Sequence, residues 1–145
     1  MIEKELSALE QLKASRNPLK VVEDMFKEAQ EGIPLSDDHI SLLKWYGMYP
    51  HINSEGTEEK KYFMKRIKIV DAKITLDQLD VLAQIGQKYA QGLVDFTNRQ
   101  NIQFHYIEIK DIPAIFKLLD SVGLTSRMAS GDGPRPIMTS PVAGI

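Results

Sequence analysis

The sequence predicts an α+β chain in three parts: a helical N-terminal leader and connection over residues 1–56, a β-α-β-β-α half-domain over 57–123, and an irregular C-terminal arm over 124–145. Three observations predict it. Apolar residues recur at helical spacing up to Trp45, the period switches to two at Tyr62, and no period survives beyond Gly123.

The leader reads as three short helices. Leu6, Leu9 and Leu12 sit three apart among charges within residues 3–15, as in a short amphipathic helix or a fraying amphipathic arm. Asn17 caps the second, with Pro18 at its first position, a stripe of Val21, Val22, Met25, Phe26 and Ala29, and Gly32 as the stop. Ser36 caps the third, which turns Ile40, Leu43 and Trp45 inward, and residues 47–56, with Pro50, read as a polar connection.

From Tyr62 a strand places Phe63, Ile67 and Ile69 on one face and Met64, Arg66, Lys68 and Val70 on the other. Thr75 and Gln78 form a capping box opening a helix with an inward stripe of Leu76, Leu79, Leu82, Ala83 and Tyr89. Gly92 returns the chain to strand over 93–96. After a polar turn, Ile102, Phe104 and Tyr106 alternate with Gln103, His105 and Ile107. Asp111 caps a last helix with Pro113 in its first turn and Ile112, Ile115, Phe116, Leu119 and Val122 as its core face, ended by Gly123. This order is five-sixths of a ferredoxin-like β-α-β-β-α-β unit, whose helices cover one sheet face and leave the other free. The arm is rich in Gly, Pro, Ser and Thr, and no internal repeat is present.

Composition limits the chemistry. At 145 residues and 43% hydrophobic content, the chain can form one ordinary core. A net charge of −2 and a pI near 5.9 provide no basic field for nucleic acid or an anionic membrane. The absence of cysteine excludes disulfides, thiolate zinc sites, cysteine nucleophiles and a cysteine-ligated iron–sulfur cluster held by this chain alone. No secretory leader or membrane-length apolar run occurs, so a cytoplasmic, soluble protein is expected.

The free face collects Arg66 and Lys68 with Gln103 and His105, while Asn98 and Arg99 sit at the turn. Cations and neutral donors with no carboxylate evident among them suit a small oxyanion or a polyanion. The same pattern also describes an ordinary solvated sheet face. His105 has no partner at metal-ligand spacing, since His39 and His51 are distant in sequence, and no metal site is expected. Asp132 between Gly131 and Gly133 reads as a turn. The basic run of Lys60, Lys61, Lys65, Arg66 and Lys68 lacks the aromatic interleaving of a nucleic-acid surface and is equally a lysine-decorated strand edge. No Ser/His/Asp arrangement or close carboxylate pair can be argued.

Several segments nevertheless match one family in order: LKWYGMY at 43–49, YFMKRIKI at 62–69, ITLDQLDVLAQIGQKYAQG at 74–92, TNRQNIQFH at 97–105 and DIPAIFKLLDSVGLTS at 111–126, then GDGPRP and SPVAG. Each is modest alone and specific in sum. The sequence resembles the amino-terminal portion of the sirohaem-containing nitrite and sulfite reductases, from about Leu43 to Gly144. The resemblance implies that 57–123 is the family's first ferredoxin-like half-domain, normally paired with a second later in a longer chain, so a truncated portion is expected. It implies a six-electron reduction of nitrite to ammonia or sulfite to sulfide on sirohaem, with electrons from ferredoxin or another donor. By position, Arg66 and Arg135 would be substrate-side arginines, while Lys68, Asn98, Arg99, Asn101, Gln103 and His105 would contact the macrocycle or its carboxylates. The cysteines that ligate the family's [4Fe-4S] cluster lie beyond Ile145. Asp71 and Ala72 replace the usual Gly-Gly, and GPRP stands at 133–136 where Arg-Asn is common after the acidic loop. A standalone binding or assembly module of the same fold is the alternative, and a plain helix-covered sheet domain with no anion site is a second.

Overall fold

The computed structural model describes residues 6–17, 20–32, 35–52, 58–129, 137, 138, 140 and 142. Helix α1 (Ala8–Ser15) starts where the Ser7 hydroxyl accepts the Glu10 N–H. It is followed by α2 (Val21–Glu31), with Val21 and Met25 buried, and by α3 (Asp37–Leu43), where Ser36 accepts the His39 N–H. Pro18 lies outside the described residues, as does the side chain of Ala29.

A 3₁₀ turn (Lys44–Tyr46) then delivers the chain to β1 (Met48–Ile52), the segment expected to be a polar connection. It pairs antiparallel with β2 (Glu58–Ile67), and the sheet continues through β4 (Ile102–Glu108) to β3 (Asp95–Phe96), in the order β1-β2-β4-β3. The Pro50 ring is tolerated because β1 is an edge strand, and the register slips between Pro50 and His51. Among the described residues the sheet therefore has four strands, the additional one supplied from before β2 rather than after the last helix.

Helices α4 (Leu76–Tyr89) and α5 (Ile112–Ser121), with α2, cover one face over a core that includes Phe63, Ile67, Leu82, Ile85, Phe104, Ile107 and Ile115. The α4 capping box forms as the spacing predicts. Its buried stripe runs through Leu82, Ile85 and Gly86, however, and Leu76 and Leu79 are exposed. The reason is local: Gln78 turns inward, closes the box and donates its amide to the Val122 carbonyl at 3.1 Å, which rotates Leu76 and Leu79 outward. The second predicted strand is also shorter, because Leu93 and Val94 precede the paired residues.

Asp111 precedes α5 from a 3₁₀ turn (Ile109–Asp111) and makes no side-chain cap. The other end closes as predicted, with Gly123 at φ 69°, its N–H on the Asp120 carbonyl and the Leu124 N–H on that of Leu119. Beyond it, the Lys68 N–H donates to the Thr125 carbonyl, and Ser126 and Ala129 are buried. Gly47, at φ 65°, lets the 3₁₀ turn press onto this junction, where a Cβ would lie 2.5 Å from the Arg66 carbonyl oxygen.

Candidate functional site

The helix-free face of the sheet holds a concavity of about 460 Å³ lined by Tyr49, Pro50 and His51 of β1, Met64 and Arg66 of β2, and Gln103 and His105 of β4. Strand pairing builds it. Tyr49 lies opposite Met64, and Arg66 opposite Gln103, so alternate side chains of three strands emerge together.

Arg66 donates from Nε and Nη2 to Gln103 Oε1 at 3.1 and 2.7 Å. That pair fixes the amide, whose nitrogen then stands 3.2 Å from His105 Nε2. The same imidazole nitrogen is 3.1 Å from Asp95 Oδ2 on β3. One nitrogen cannot accept from the Gln103 amide and donate to the Asp95 carboxylate at once, so His105 sits at a branch point whose proton location decides which neighbour it serves. Asp95 also corrects the expectation of a carboxylate-free cluster. Its carboxylate is 63% exposed, so solvent screens much of its charge from the concavity.

The predicted alternation of β4 breaks at Tyr106. Lys65 pairs with Phe104 and Phe63 with Ile107, leaving one residue between them on β2, Met64, against two on β4, His105 and Tyr106, so β4 carries a bulge. Tyr106 takes φ 60°, Ile107 takes the core position expected for Tyr106, and the Tyr106 ring stays beside His105. There it lies 4.5 Å from the ring of His51 and 6.0 Å from that of Tyr62. The His51 ring meets His105 edge-on at 5.7 Å. Two histidines that are far apart in sequence are thus neighbours. Among the described residues, no group of three or more His, Cys, Asp or Glu could hold a metal.

Of the other predicted site residues, Asn98 and Arg99 occupy the exposed turn between β3 and β4. Asn101 lies beneath that turn, 2% exposed, with its carboxamide oxygen accepting the Ile69 N–H and its own N–H on Thr97 Oγ1. It ties the turn to the end of β2 rather than facing the concavity. Lys68 is half-buried where β2 meets residue 125. Arg135 and residues 131–133 lie outside the described residues.

Lys65, counted in the basic run, is fully buried on the core face. Its Nζ donates to Ser126 Oγ at 2.9 Å and the Tyr46 carbonyl at 3.5 Å, and stands 4.0 Å from the Phe116 ring centroid. Burial pushes its pKa down to about 7. Tyr49, His51 and Asp95 escaped sequence reasoning, because each joins the site only through strand pairing. A second hollow of about 510 Å³, between α4 and α5, is lined by Gln84, Gln87, Lys88, Tyr89, Ala114, Lys117 and Leu118 and has no comparable convergence of hydrogen-bonded groups.

Comparison with known proteins finds relatives in sequence and in fold. Residues 55–122 match the nitrite/sulfite reductase ferredoxin-like half domain. The chain is 35% identical over 155 residues to a ferredoxin sulfite reductase of Mycobacterium tuberculosis, covering 96% of this chain and 28% of that protein. It is 35% identical over 146 residues to a ferredoxin–nitrite reductase of Leptolyngbya laminosa, covering 99% and 28%. The solved structure of the Mycobacterium tuberculosis NirA protein superposes with a TM-score of 0.89 at 31% identity, over 97% of this chain and 28% of that one. The chain thus spans little more than a quarter of the length of these relatives. No helix among the described residues is long and apolar enough to cross a membrane.

Proposed function

We propose, from the match of residues 55–122 to the nitrite/sulfite reductase ferredoxin-like half domain, that the open sheet face is one wall of the cofactor and substrate site of a sirohaem-dependent nitrite or sulfite reductase. The observation that carries the reading is the row Arg66–Gln103–His105 emerging from two paired strands into a single concavity. A cation braced by a neutral amide and followed by an imidazole is a donor set for anionic oxygens.

The residues present fit the periphery of such a group rather than its iron. They offer donors and a cation, whereas no described cluster could ligate a metal and the chain has no thiolate. When bound, sirohaem supplies the redox chemistry, and a [4Fe-4S] cluster would take its cysteines from protein outside these 145 residues. Arg66 holds an anionic oxygen of substrate or macrocycle, and Gln103 keeps its guanidinium in place. His105, its Nε2 within reach of the Gln103 amide and the Asp95 carboxylate, orients that end of the row. Lys68, Asn98 and Arg99 add polar groups toward the turn, and Asn101 positions that turn. Arg135 keeps a substrate-side role on the resemblance alone. Nitrite or sulfite as substrate, ferredoxin as donor, the remainder of the reductase as partner and a cytoplasmic location all belong to this proposal. A non-catalytic binding module of the same fold is the second reading.

The test is direct titration of the purified chain with sirohaem, followed by absorption. Saturable binding that Arg66→Ala weakens about tenfold, the worth of one charge-assisted hydrogen bond, is the expected result. Equal binding by the variant, or none by the wild type, would overturn the reading. If the chain binds, activity of the longer protein that contains it separates the reductase from the module.

A further inference from the structure

We propose that His51 carries its proton on Nε2 and presents that N–H to an anionic oxygen bound in the concavity between β1, β2 and β4. The inference rests on the anion-binding role proposed for that face and adds a residue from the edge strand to it.

Two observations support it. The Nδ1 atom of His51 is buried and has no hydrogen-bond partner among the described residues. The same side chain lines the concavity, so Nε2 is the nitrogen left to face it. A neutral imidazole has one donor and one acceptor nitrogen, and orphaned N–H groups are rarer in folded proteins than under-satisfied acceptors. The sealed Nδ1 is therefore the bare lone pair, and the proton lies on Nε2.

The ring is held in that pose from one side by Tyr106, at 4.5 Å and an interplanar angle of 32°, and edge-on by His105. Tyr106 reaches its position through a left-handed backbone that non-glycine residues avoid, and such strain is retained where the surroundings over-determine it. The described charged and titratable groups sharing this neighbourhood are Tyr49 of β1, Arg66 and Tyr62 of β2, His105 and Tyr106 of β4, and Asp95 of β3 behind His105. With Arg66 in the same hollow, the acceptor that suits the His51 donor is an anionic oxygen, from either the carboxylate rim of a tetrapyrrole or a small oxyanion.

Long-range ¹H–¹⁵N correlation of the imidazoles in the labelled chain at pH 8, assigned with His51→Gln, reads the tautomer directly. The expected pattern is Nε2–H for His51 without ligand. Its resonances should then move on adding uroporphyrin III, a metal-free polycarboxylate tetrapyrrole, or sodium sulfite, while those of buried His39 on α3 stay. Movement with the tetrapyrrole assigns the acceptor to a carboxylate rim, and movement with sulfite alone assigns it to a small oxyanion. His51→Phe should weaken binding of that probe about tenfold, and His51→Gln, which retains a donor, by no more than about threefold. An Nδ1–H pattern overturns the inference. So does binding that is sensitive to Arg66→Ala yet indifferent to His51→Phe, which leaves the proposed function standing. Failure of both probes to bind overturns the two together.

Discussion

Lys65 is the residue whose chemistry departs furthest from its appearance in the sequence. Between Tyr62 and Ile69 it looks like another surface cation, yet period two puts it on the face of Phe63 and Ile67, and the fold buries it completely. Its described partners are a hydroxyl, a carbonyl and the face of Phe116. With a folded pKa of about 7 against an ordinary 10.5, the unfolded chain binds one more proton than the folded chain between those values, so stability rises with pH across that window. The contribution is fully present above about 10.5 and is lost as pH falls toward 7. Buried Tyr46 acts in the opposite sense above its ordinary value of 10.0, because burial raises its pKa and the unfolded phenol ionises first. The clean comparison is therefore between pH 6 and pH 9. Lys65→Met should raise stability at pH 6 by an amount of order 2 kcal/mol, the gain seen when buried charges are replaced by apolar groups. The gain should shrink at pH 9, where wild-type Lys65 is largely neutral and the variant has lost the Ser126 hydrogen bond. Denaturant midpoints at the two pH values measure this, and a gain that is the same at both would show that Lys65 is not the titrating group.

At the scale of elements, what could be read from the sequence was what local chemistry decides. Thr75 and Gln78 announce α4 because the two halves of a capping box are three residues apart, and Gly123 announces the end of α5 because only a left-handed residue closes that helix in this way. Strand β1 was not legible. Gly47 and Pro50 are loop residues by local preference, and only the edge position on β2 makes Pro50 acceptable. The loss of β1 concealed His51 and Tyr49, and the bulge at Tyr106 was equally hidden, because it is the core's demand for Ile107 that shifts the phase. Arg66, Gln103 and His105 could be grouped from alternation alone, whereas Asp95 needed the β3–β4 register and Asn101 needed the closed turn. One element also carries a prediction. At residues 70–73 the Lys73 N–H returns to the Val70 carbonyl, with Asp71 at φ 55° and Ala72 at φ 54° between them. Two consecutive left-handed residues make a type I′ turn, whose second central position strongly favours glycine. Ala72→Gly should therefore stabilise the protein by about 0.5–1 kcal/mol, the Cβ strain relieved less the backbone entropy that glycine adds to the unfolded chain. A higher denaturant midpoint at unchanged slope is the expected observation, and a lower midpoint would refute the strain argument.

At the scale of the whole molecule, the described residues protect the sheet on one face and at one edge only. Helices α2, α4 and α5 close the core face, and β1 guards its edge with Pro50 and a register break. The opposite edge is β3, just two residues long, where Phe96 is 72% exposed and the preceding Leu93 is 55% exposed. A soluble domain seldom leaves large apolar side chains beside an unpaired strand unless something packs on them. The isolated chain is therefore expected to self-associate through this edge. Sedimentation velocity across a concentration series should show a weight-average mass rising above the 16.4 kDa monomer. Phe96→Glu, which buries nothing and breaks no described hydrogen bond, should return the chain to monomer without lowering its denaturant midpoint. Added salt should strengthen rather than dissolve the association, because apolar contact and not charge pairing drives it. A wild-type chain that stays monomeric throughout the series, or an association that salt dissolves, would place the cause elsewhere than at β3.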